Sequence, residues 1–476
     1  MRKRTQARGK ESTMQYISTR GSAPELGFDE VLLAGLANDG GLYVPKSWPQ
    51  VSAEQLRQWA TLSYQELAVE VMLPFVEDGI PREDFAELVD RAYATFQHPS
   101  VTPLKQLDSN LYLLELFHGP TLAFKDCALQ LLGHLFDYVL ERQDRRITIV
   151  GATSGDTGSA AIEAIKGRAR ADIFILFPEG RVSPVQQRQM TTVTAENVHA
   201  LAIDGTFDDC QDLVKAMFAD KTFRETVNLS AVNSINWARI MAQIVYYFWA
   251  SLRLGAPERE VDFCVPTGNF GNVFAGYAAK QMGLPMGRLM VGSNRNDILT
   301  RFFESDDMSV RGVEPSLSPS MDIQISSNFE RYLFDLLDRD GNATAKTMTD
   351  FRQTGRMQVG QGGWERAKSE FHGFSLSDPD CLAAMKNWHA ATGEVLDPHT
   401  VIGVQHAAEF GSSERPAVAL ATAHPAKFPA AVEQALGAEP PLPAHLADLY
   451  DRPERFSVLA NALEDVQNHV LSNRRG

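Results

Sequence analysis

Residues 111–138, LYLLELFHGPTLAFKDCALQLLGHLFDY, are the stretch that decides the fold. Leu111 to Phe117 is a nearly unbroken apolar run, which is typical of a buried strand. The turn residues His118 to Thr121 follow, and apolar side chains then recur at helical spacing from Ala128 to Val139. A buried strand that passes through a turn into a helix is the repeating unit of α/β proteins.

Lys125 lies where this strand-turn unit enters the helix, next to Leu122, Ala123 and Phe124. The positive end of the helix dipole and the apolar neighbours both disfavour an ammonium group, so both lower the pKa of the amine. A neutral amine is what Schiff-base chemistry requires. The alternative is a lysine whose stem packs while its charged head reaches water. This stretch alone leaves both interpretations open.

The rest of the chain divides into a helical first part and an α/β remainder. Residues 14–106 are mostly helical in pattern, with capping-box candidates at Ser52/Gln55 and Ser63/Glu66, and form an expected accessory domain. Later strands are expected at 147–150, 172–177, 197–203, 261–265, 288–291 and 417–420, and helices from Ser159, over 207–218, after Asn236 and near Val273. This alternation predicts mainly parallel sheet covered by helices, with ligands beyond the carboxyl ends of the strands.

Chain length, net charge and cysteine count limit the number of domains, the kinds of partner and the cellular compartment. A chain of 476 residues indicates two or three domains. The net charge of −15 argues against nucleic acid or an anionic membrane as the main partner. Four widely spaced cysteines favour a reducing, cytoplasmic compartment over a zinc ribbon or a disulfide framework, and no transmembrane helix is expected. Residues 1–13 lack a secretory pattern and favour a non-native leader or an upstream start over a transit peptide.

Two glycine-rich loops each follow an expected strand and open an expected helix. Gly151 to Gly158 carries the hydroxyls of Thr153, Ser154 and Thr157, and Thr267 to Asn272 repeats the pattern. Free backbone N–H groups at a helix start bind anions such as phosphate or carboxylate. The first loop lacks the ending of a nucleotide P-loop, and a plain strand-helix turn would also use glycines. Placed on one sheet with Lys125, the two loops indicate an aldehyde cofactor with a phosphate tail and an anionic amino-acid substrate.

A third group of polar residues is Asn233-Ser-Ile-Asn-Trp-Ala-Arg239. Asn233, Ser234 and Asn236 can donate hydrogen bonds at a helix start, and Arg239 lies one turn further on, where its guanidinium can fork onto phosphate or carboxylate oxygens. The alternative is a capped surface helix with a solvated arginine.

Other polar residues carry weaker signals. His118, His399 and His424 lie in turn-like segments without metal-ligand spacing, so no metal site is expected and a structural or supporting role is favoured. Thr422 follows a strand and can bond a ring nitrogen or simply end the strand. Asp322 is either an ion-pair partner or a site residue.

Seven segments in order resemble the threonine synthase family: FHGPTLAFKD, GATSGDTG, NSINWARI, PTGNFGN, SMDIQISSNFER, DPHTVIG and ATAHPAKF. The resemblance runs from Met14 to about Phe428 and includes the helical first part, which is typical of the longer bacterial and fungal subgroup. It implies a pyridoxal 5′-phosphate enzyme of fold type II, with the cofactor between two α/β domains. We expect residues 14–106 as the N-terminal domain, 107–145 with 262–476 as the large domain, and 146–261 as the small domain.

The resemblance also assigns roles to individual residues. Lys125 would carry the cofactor as a Schiff base, and a neutral Thr422 would leave the pyridine nitrogen largely unprotonated. The cofactor phosphate would be cradled by Gly268, Asn269, Phe270, Gly271 and Asn272. The substrate would contact Thr153, Ser154, Thr157, Asn233, Ser234 and Arg239. Asp156 stands where shorter relatives have an asparagine that contacts the 3′ oxygen of the cofactor, so its role and protonation state are open.

The implied reaction converts O-phosphohomoserine and water to L-threonine and phosphate, in a monomer or homodimer. An O-phosphohomoserine phospho-lyase, which releases 2-oxobutyrate and ammonia, would use the same residues. A hydroxy-amino-acid dehydratase would not need the phosphate clamp from Asn233 to Arg239. A non-catalytic protein that binds small anions would leave Lys125 unexplained.

Overall fold

The structure is a computed structural model that describes residues 14–76 and 79–475. The expected leader, residues 1–13, lies outside the described residues. The strands are β1 (Tyr16–Ser18), β2 (Tyr43–Pro45), β3 (Leu104–Asp108), β4 (Leu111–Glu115), β5 (Ile147–Ala152), β6 (Ala171–Pro178), β7 (Val198–Asp204), β8 (Leu229–Ser230), β9 (Val261–Pro266), β10 (Met286–Ser293), β11 (Met308–Ser309), β12 (Arg356–Met357), β13 (Phe371–Ser375), β14 (Ala417–Ala421) and β15 (Ser457–Ala460).

The helices surround these strands and connect most of them. They are α1 (Phe28–Ala34), α2 (Ala53–Trp59), α3 (Tyr64–Val76), α4 (Arg82–Tyr93), α5 (Lys125–Arg142), α6 (Asp156–Ile165), α7 (Pro184–Thr191), α8 (Phe207–Ala219), α9 (Lys221–Thr226), α10 (Trp237–Arg253), α11 (Gly271–Gln281), α12 (Ile298–Ser305), α13 (Phe329–Leu336), α14 (Gly341–Thr354), α15 (Gly360–Glu370), α16 (Asp378–Thr392), α17 (Thr400–Phe410), α18 (Pro429–Leu436) and α19 (Leu463–Asn473).

Two mainly parallel sheets organise the described chain, which confirms the predicted α/β class. The first has the strand order β13-β10-β9-β14-β4-β3, and its single antiparallel pair is β3 with β4. The second has the order β15-β7-β6-β5-β8 and is parallel throughout. The strands β6 and β9 are mostly apolar and buried along their whole length, as expected for parallel strands covered on both faces.

The helical first part folds as its capping signals predict. Ser52 accepts from the backbone of Gln55 at the start of α2, and the Gln55 side chain accepts from Ser52 N. Ser63 and Glu66 exchange the same pair of bonds before α3. These reciprocal bonds occupy backbone groups that a helix start leaves without intrahelical partners, so each start is specified locally.

Strand pairing and helix packing cross three of the expected domain limits. The limit at 106 falls inside β3, which pairs with β4. The helix α10 packs on α3, α5 and α11, although 146–261 is expected as the small domain. The last strand, β15, pairs with β7 of the second sheet, although 262–476 was assigned to the large domain. In each case, contacts between distant segments decide which sheet an element joins. Local sequence patterns carry no information about such contacts. A domain division as such stays a prediction.

The buried helix α10 ties the helical first part to the first sheet. It is buried from Trp237 to Leu252. The Trp237 ring lies 5.9 Å from Tyr16, 6.1 Å from Trp48 and 5.6 Å from Phe75, measured between ring centroids. The alternative of a capped surface helix with a solvated arginine is therefore wrong, because aromatic side chains from the first part cover α10 and Arg239 is buried.

Candidate active site

The expected site residues meet at the carboxyl ends of strands from both sheets. The loop after β5 leads into α6, the loop after β9 leads into α11, and the turn after β4 leads into α5. Because β5 belongs to the second sheet and β9 to the first, the expectation of both loops on one sheet is wrong. The site is a cleft between two sheets, each of which presents the edge where parallel folds bind ligands.

The turn that delivers Lys125 is held by the neighbouring Asp126. The Asp126 carboxylate accepts from Thr121 N at 2.7 Å and from Thr121 Oγ1 at 2.6 Å. A Cβ atom on Gly119 would lie 2.5 Å from Asp126 Cβ, so this close approach requires glycine. Leu122 adopts a positive φ of 63°, a conformation that costs free energy and is found at functional sites. The turn places Lys125 as the first residue of α5.

Lys125 is buried, and its amine faces the carboxylate of Asp156. The distance from Lys125 Nζ to Asp156 Oδ2 is 3.1 Å, and the ring of Phe124 lies 5.1 Å from the same Nζ. Burial lowers the pKa of Lys125 below its usual range, although the carboxylate of Asp156 opposes this. A lysine whose head reaches water is therefore excluded.

Asp156 holds four side chains together. Its Oδ1 accepts from Gln186 Nε2 at 2.8 Å and lies 3.0 Å from Lys427 Nζ, while its Oδ2 accepts from Ser320 Oγ at 2.9 Å and from Lys125. Burial alone would raise the pKa of this carboxyl group, but the lysine charges outweigh it and lower the pKa well below its ordinary value. Asp156 is therefore ionised. It lies in the first turn of α6, which starts before the expected Ser159.

The loop between β9 and α11 has unused donors. Asn272 is buried, and its Oδ1 accepts from Tyr246 Oη at 2.5 Å and from Tyr247 Oη at 3.0 Å, whereas its Nδ2 has no partner among the described residues. Phe270 has a positive φ of 60° just before Gly271 opens the helix. The first-turn N–H groups of a helix have no intrahelical acceptor, so this loop presents donors to an anion.

The rest of this loop is fixed by the segment that follows β11. Ser326 Oγ donates to Gly268 O at 2.7 Å, and Ser327 Oγ donates to Asn269 Oδ1 at 3.2 Å. A Cβ atom on Gly268 would lie 2.6 Å from Ser320 O, so the loop and this segment pack without space between them. Ser320 in turn contacts Asp156. One chain of contacts therefore joins the β9 loop to Lys125.

The loop between β5 and α6 satisfies much of its own backbone. Thr153 Oγ1 accepts from Gly155 N and from Gly158 N, each at 2.9 Å, and the residue is buried. Ser154 is exposed and Thr157 is partly buried. Thr153 therefore shapes the turn, while Ser154 and Thr157 are the hydroxyls that remain for a ligand.

Arg239 is a buried cation that forms no ion pair with any residue that the structure describes. It is 3% exposed, and neither its Nε nor its Nη1 has a hydrogen-bond partner within the described ranges. Burial lowers the pKa of Arg239 to about 10, so the guanidinium still carries its charge at neutral pH. A buried charge of this kind is costly unless it is paired. Since its charge also acts on the pKa of Lys125, Arg239 lies near the amine and is suited to an anion in the cleft.

Ser234 is linked to the β9 loop, while Asn233 and Asn236 hold the backbone around the start of α10. Asn328 Nδ2 donates both to Ser234 O at 3.1 Å and to Asn269 O at 3.0 Å. Asn233 Oδ1 accepts from Ile235 N. Asn236 caps α10 through Ala238 N and donates to the backbone of α1. The structure thus connects Ser234 to the β9 loop and assigns Asn236 to the helix start, while the role of Asn233 stays a prediction.

Thr422 lies beside the turn that carries Lys125. Its backbone O accepts from Phe124 N at 2.8 Å, and its N donates to Thr400 Oγ1 at 3.2 Å. The residue is buried directly after β14. This position, between the ends of β4 and β9 in the first sheet, places Thr422 in the same cleft.

Three expected supporting residues hold turns together. His118 Nε2 lies 2.7 Å from Glu115, His399 Nδ1 lies 2.9 Å from Asp397, and His424 Nδ1 accepts from Ala426 N at 3.1 Å. Asp322 accepts hydrogen bonds from the neutral side chains of Asn294, Asn296 and Ser316, and so fixes the segment that carries Ser320. The described residues contain no cluster of three or more His, Cys, Asp or Glu side chains suited to a metal ion.

Several site residues were missed by the sequence analysis. Lys427 is completely buried and contacts Asp156, although its segment ATAHPAKF was noted. A lysine in an otherwise apolar run after a strand was the available signal. Ser320 and Asn328 lie in the quoted segment SMDIQISSNFER, but no role was expected for them. Gln186 gave no local signal, because it reaches the site from a distant part of the chain.

The residues present fit a phosphorylated aldehyde cofactor. A buried amine of lowered pKa suits the aldehyde, and the unpaired Asn272 Nδ2 beside a helix start suits the phosphate. The unpaired Arg239 provides for a second anion in the same cleft. In the part of the chain that the structure describes, no helix is long and apolar enough to cross a membrane.

Comparisons with known proteins agree along the whole chain. Three family models match: "Threonine synthase N terminus" over residues 15–93, "Pyridoxal-phosphate dependent enzyme" over 95–354, and "Threonine synthase, C-terminal" over 400–470. A threonine synthase from Pseudomonas aeruginosa is 55% identical over 459 residues, which cover 96% of this chain and 98% of that protein.

Solved structures give the same result. A PLP-bound threonine synthase from Brucella melitensis is 55% identical, with a TM-score of 0.96 over 98% of this chain and 100% of that chain. A yeast threonine synthase is 40% identical, with a TM-score of 0.92 over 96% of this chain and 98% of that one. The chain belongs to the threonine synthase family, whose members are pyridoxal-phosphate-dependent lyases of fold type II.

Proposed function

We propose that this chain converts O-phosphohomoserine and water to L-threonine and phosphate by a β,γ-replacement in which Lys125 moves the protons. The observation that carries this proposal is a buried amine, Lys125, in a cleft with two side chains, Arg239 and Asn272, whose nitrogen donors lack partners among the described residues. Two separate anion sites match a phosphorylated cofactor and a phosphorylated substrate.

Pyridoxal phosphate would be held at the ends of β4, β9 and β14. Its phosphate would accept from Asn272 Nδ2 and from the N–H groups that open α11, along the loop Gly268, Asn269, Phe270 and Gly271. Its ring nitrogen would face the neutral Thr422, and Asp156 would lie on the side of Lys125. When bound, the cofactor supplies an electron sink for negative charge at the substrate carbons.

The substrate phosphate would bind Arg239, with Asn233, Ser234, Ser154 and Thr157 as neutral donors. A guanidinium forks onto phosphate oxygens, and a buried one does so without competition from water. This contact gains strength as phosphate departs with its full charge, so Arg239 stabilises the leaving group. Thr153 supports the arrangement by holding the loop.

Lys125 would remove the proton from Cα of the substrate. A second deprotonation at Cβ allows phosphate to leave from Cγ. A proton is then added at Cγ, which becomes the methyl group, water adds at Cβ, and Lys125 returns a proton to Cα. A base with a pKa near the working pH performs such transfers best, which agrees with the lowered pKa of the buried Lys125.

Product analysis with O-phosphohomoserine tests the proposal. We expect threonine and phosphate in equal amounts, with no burst of 2-oxobutyrate. The Lys125→Ala variant should lose activity by at least about 10³-fold, because it lacks both the nucleophile and the proton carrier. Its purified form should also lack the visible absorbance of the bound cofactor. Release of 2-oxobutyrate and ammonia would instead establish a phospho-lyase.

We also propose a cytoplasmic enzyme that acts as a monomer or homodimer without nucleic acid or membrane partners. The net charge of −15 supports the absence of polyanionic partners, and the buried thiols of Cys127, Cys210, Cys264 and Cys381 suit a reducing compartment. Light scattering during gel filtration measures the oligomeric state.

A further inference from the structure

Asp156 is shared by two buried amines, and the two amines have different surroundings. Lys427 Nζ lies 3.0 Å from Asp156 Oδ1 and also donates to Thr121 O at 2.8 Å and to Gln189 Oε1 at 3.2 Å. These are three acceptors for one nitrogen. Lys125 Nζ donates to Asp156 Oδ2 alone among the described residues.

An ammonium group has three N–H donors and no acceptor, so the surroundings of Lys427 match an ammonium completely. The surroundings of Lys125 would leave two donors of an ammonium without partners in a buried site. Two buried cations with one anion would also leave a net positive charge away from water, which is costly. The cluster is therefore best satisfied when Lys427 is charged and Lys125 is neutral.

We propose that Lys427 is a positioning residue that neutralises Asp156 as a fixed ion pair, so that Lys125 remains an uncharged amine in the same cluster. The residue acts through Asp156 and does not itself touch the reacting carbons. The use made of the neutral amine rests on the proposed function, whereas the charge arrangement does not.

Other charges near Lys125 act in the same direction. Arg239 on α10 opposes a positive charge on Lys125, and Lys427 does so from the segment after β14. Asp156 on α6 is the group that favours the charge, and His399 at the start of α17 acts on Asp156. Removal of Lys427 leaves Asp156 without its permanent partner, so Asp156 should then draw a proton onto Lys125.

The test measures the protonation of Lys125 in the cofactor-free chain. Acetic anhydride is applied over a range of pH, and mass spectrometry compares acetylation of Lys125 with that of the exposed Lys386 in the same molecule. We expect the midpoint for Lys125 to lie below that of Lys386. In Lys427→Met it should rise by more than about one pH unit, since Asp156 then pairs with Lys125 alone.

Two matched variants separate charge from shape. Lys427→Arg keeps the positive charge beside Asp156, so the midpoint for Lys125 should stay within about half a pH unit of the wild-type value. Ser320→Ala removes a neutral hydrogen bond to Asp156 and should also change it by less than about half a unit. The proposal is overturned if Lys427→Met leaves the midpoint unchanged, or if Lys427→Arg shifts it as far as Lys427→Met does.

A second measurement is used if Lys125 is labelled poorly, and a second pair of variants is used if Lys427→Met misfolds. Pyridoxal phosphate reacts with the neutral amine of Lys125. The rate of its binding to the cofactor-free chain, measured by absorbance at several pH values, therefore also gives the midpoint for Lys125. If Lys427→Met does not fold, Asp156→Asn is compared with the double variant that adds Lys427→Met. Removing the unpaired cation should raise the midpoint in the double variant, and equal midpoints would refute the proposal. Product analysis of the wild type judges the proposed function separately.

Discussion

The two glycine-rich loops of this chain both follow a strand and open a helix, but they differ in how far their own hydrogen-bond donors are satisfied. The loop after β5 uses Thr153 Oγ1 to occupy the N–H groups of Gly155 and Gly158. The loop after β9 leaves Asn272 Nδ2 without a partner in the described chain, although the same side chain accepts from two tyrosines. The first loop therefore satisfies these donors by itself, whereas the second needs a bound anion to accept from its free donor.

Two buried arginines show the same contrast. Arg331 donates to Tyr43 O, Asn328 Oδ1 and Ile235 O, so its guanidinium is used within the fold. Arg239 is buried to a similar degree, yet two of its nitrogens have no partner in the described ranges. A buried donor without a partner costs about 1–3 kcal/mol, more when it is charged. Such a cost points to a ligand, and it identifies the residues whose substitution should affect activity more than stability.

Arg239→Met should give the largest change. We expect kcat/KM for O-phosphohomoserine to fall by about 10²–10³-fold, because the variant loses the cation that stabilises the departing phosphate. Steady-state kinetics measure this, and the stability of the fold should change little. Arg253→Met, at the exposed end of the same helix, is the matched control and should stay within about twofold. An unchanged kcat/KM in Arg239→Met would assign this arginine to the fold instead.

Asn272→Asp should weaken the cofactor next most strongly. The substitution keeps the shape of the side chain and the oxygen that accepts from Tyr246 and Tyr247, but replaces the unpaired donor with negative charge. We expect the Kd for pyridoxal phosphate to rise by about 10- to 100-fold, which is roughly 1–3 kcal/mol. Absorbance titration of the cofactor-free chain gives the Kd. An unaltered Kd would mean that the β9 loop does not bind the phosphate.

Removal of the cofactor should lower the free energy of unfolding of the wild type and of Thr153→Val more than that of Asn272→Asp. At a free concentration of 100 times Kd, bound pyridoxal phosphate should stabilise the wild type by about 2.7 kcal/mol, and Thr153→Val should gain a similar amount. At the same concentration Asn272→Asp should gain only about 0.4 kcal/mol if its Kd is 100-fold higher. Urea unfolding with and without cofactor measures the increment. Equal increments in all three proteins would remove the distinction between the loops.

Thr153→Val should produce the smallest change, and in stability. Loss of the hydroxyl leaves the N–H groups of Gly155 and Gly158 without their acceptor, so the free energy of unfolding should fall by about 1–2 kcal/mol. Ser154→Ala, one residue later and exposed, should change it by less than about 0.5 kcal/mol. Instead, Ser154→Ala should raise the KM. The reverse pattern would show that Thr153 is the ligand-binding hydroxyl.

Much of this site was predictable from local sequence. The apolar run before Lys125, the turn residues at 118–121 and the helical spacing after it specify a strand, a turn and a helix without any distant partner. The capping boxes at Ser52 and Ser63 form as predicted because their bonds span three residues. The resemblance of seven ordered segments identified the family and the cofactor, and the comparisons confirm both.

The tertiary structure decided which of these residues share a surface. It placed the two glycine-rich loops on different sheets, returned the last strand β15 to the second sheet, and buried α10 under the helical first part. It also brought Lys427 within 3.0 Å of Asp156, 271 positions away in the sequence. Hydrophobic and turn patterns report the periodicity of one segment, but the charge state of Lys125 depends on every charge around it. The sequence alone therefore determined where a reactive lysine stands, and only the packing of distant segments determined which charges surround it.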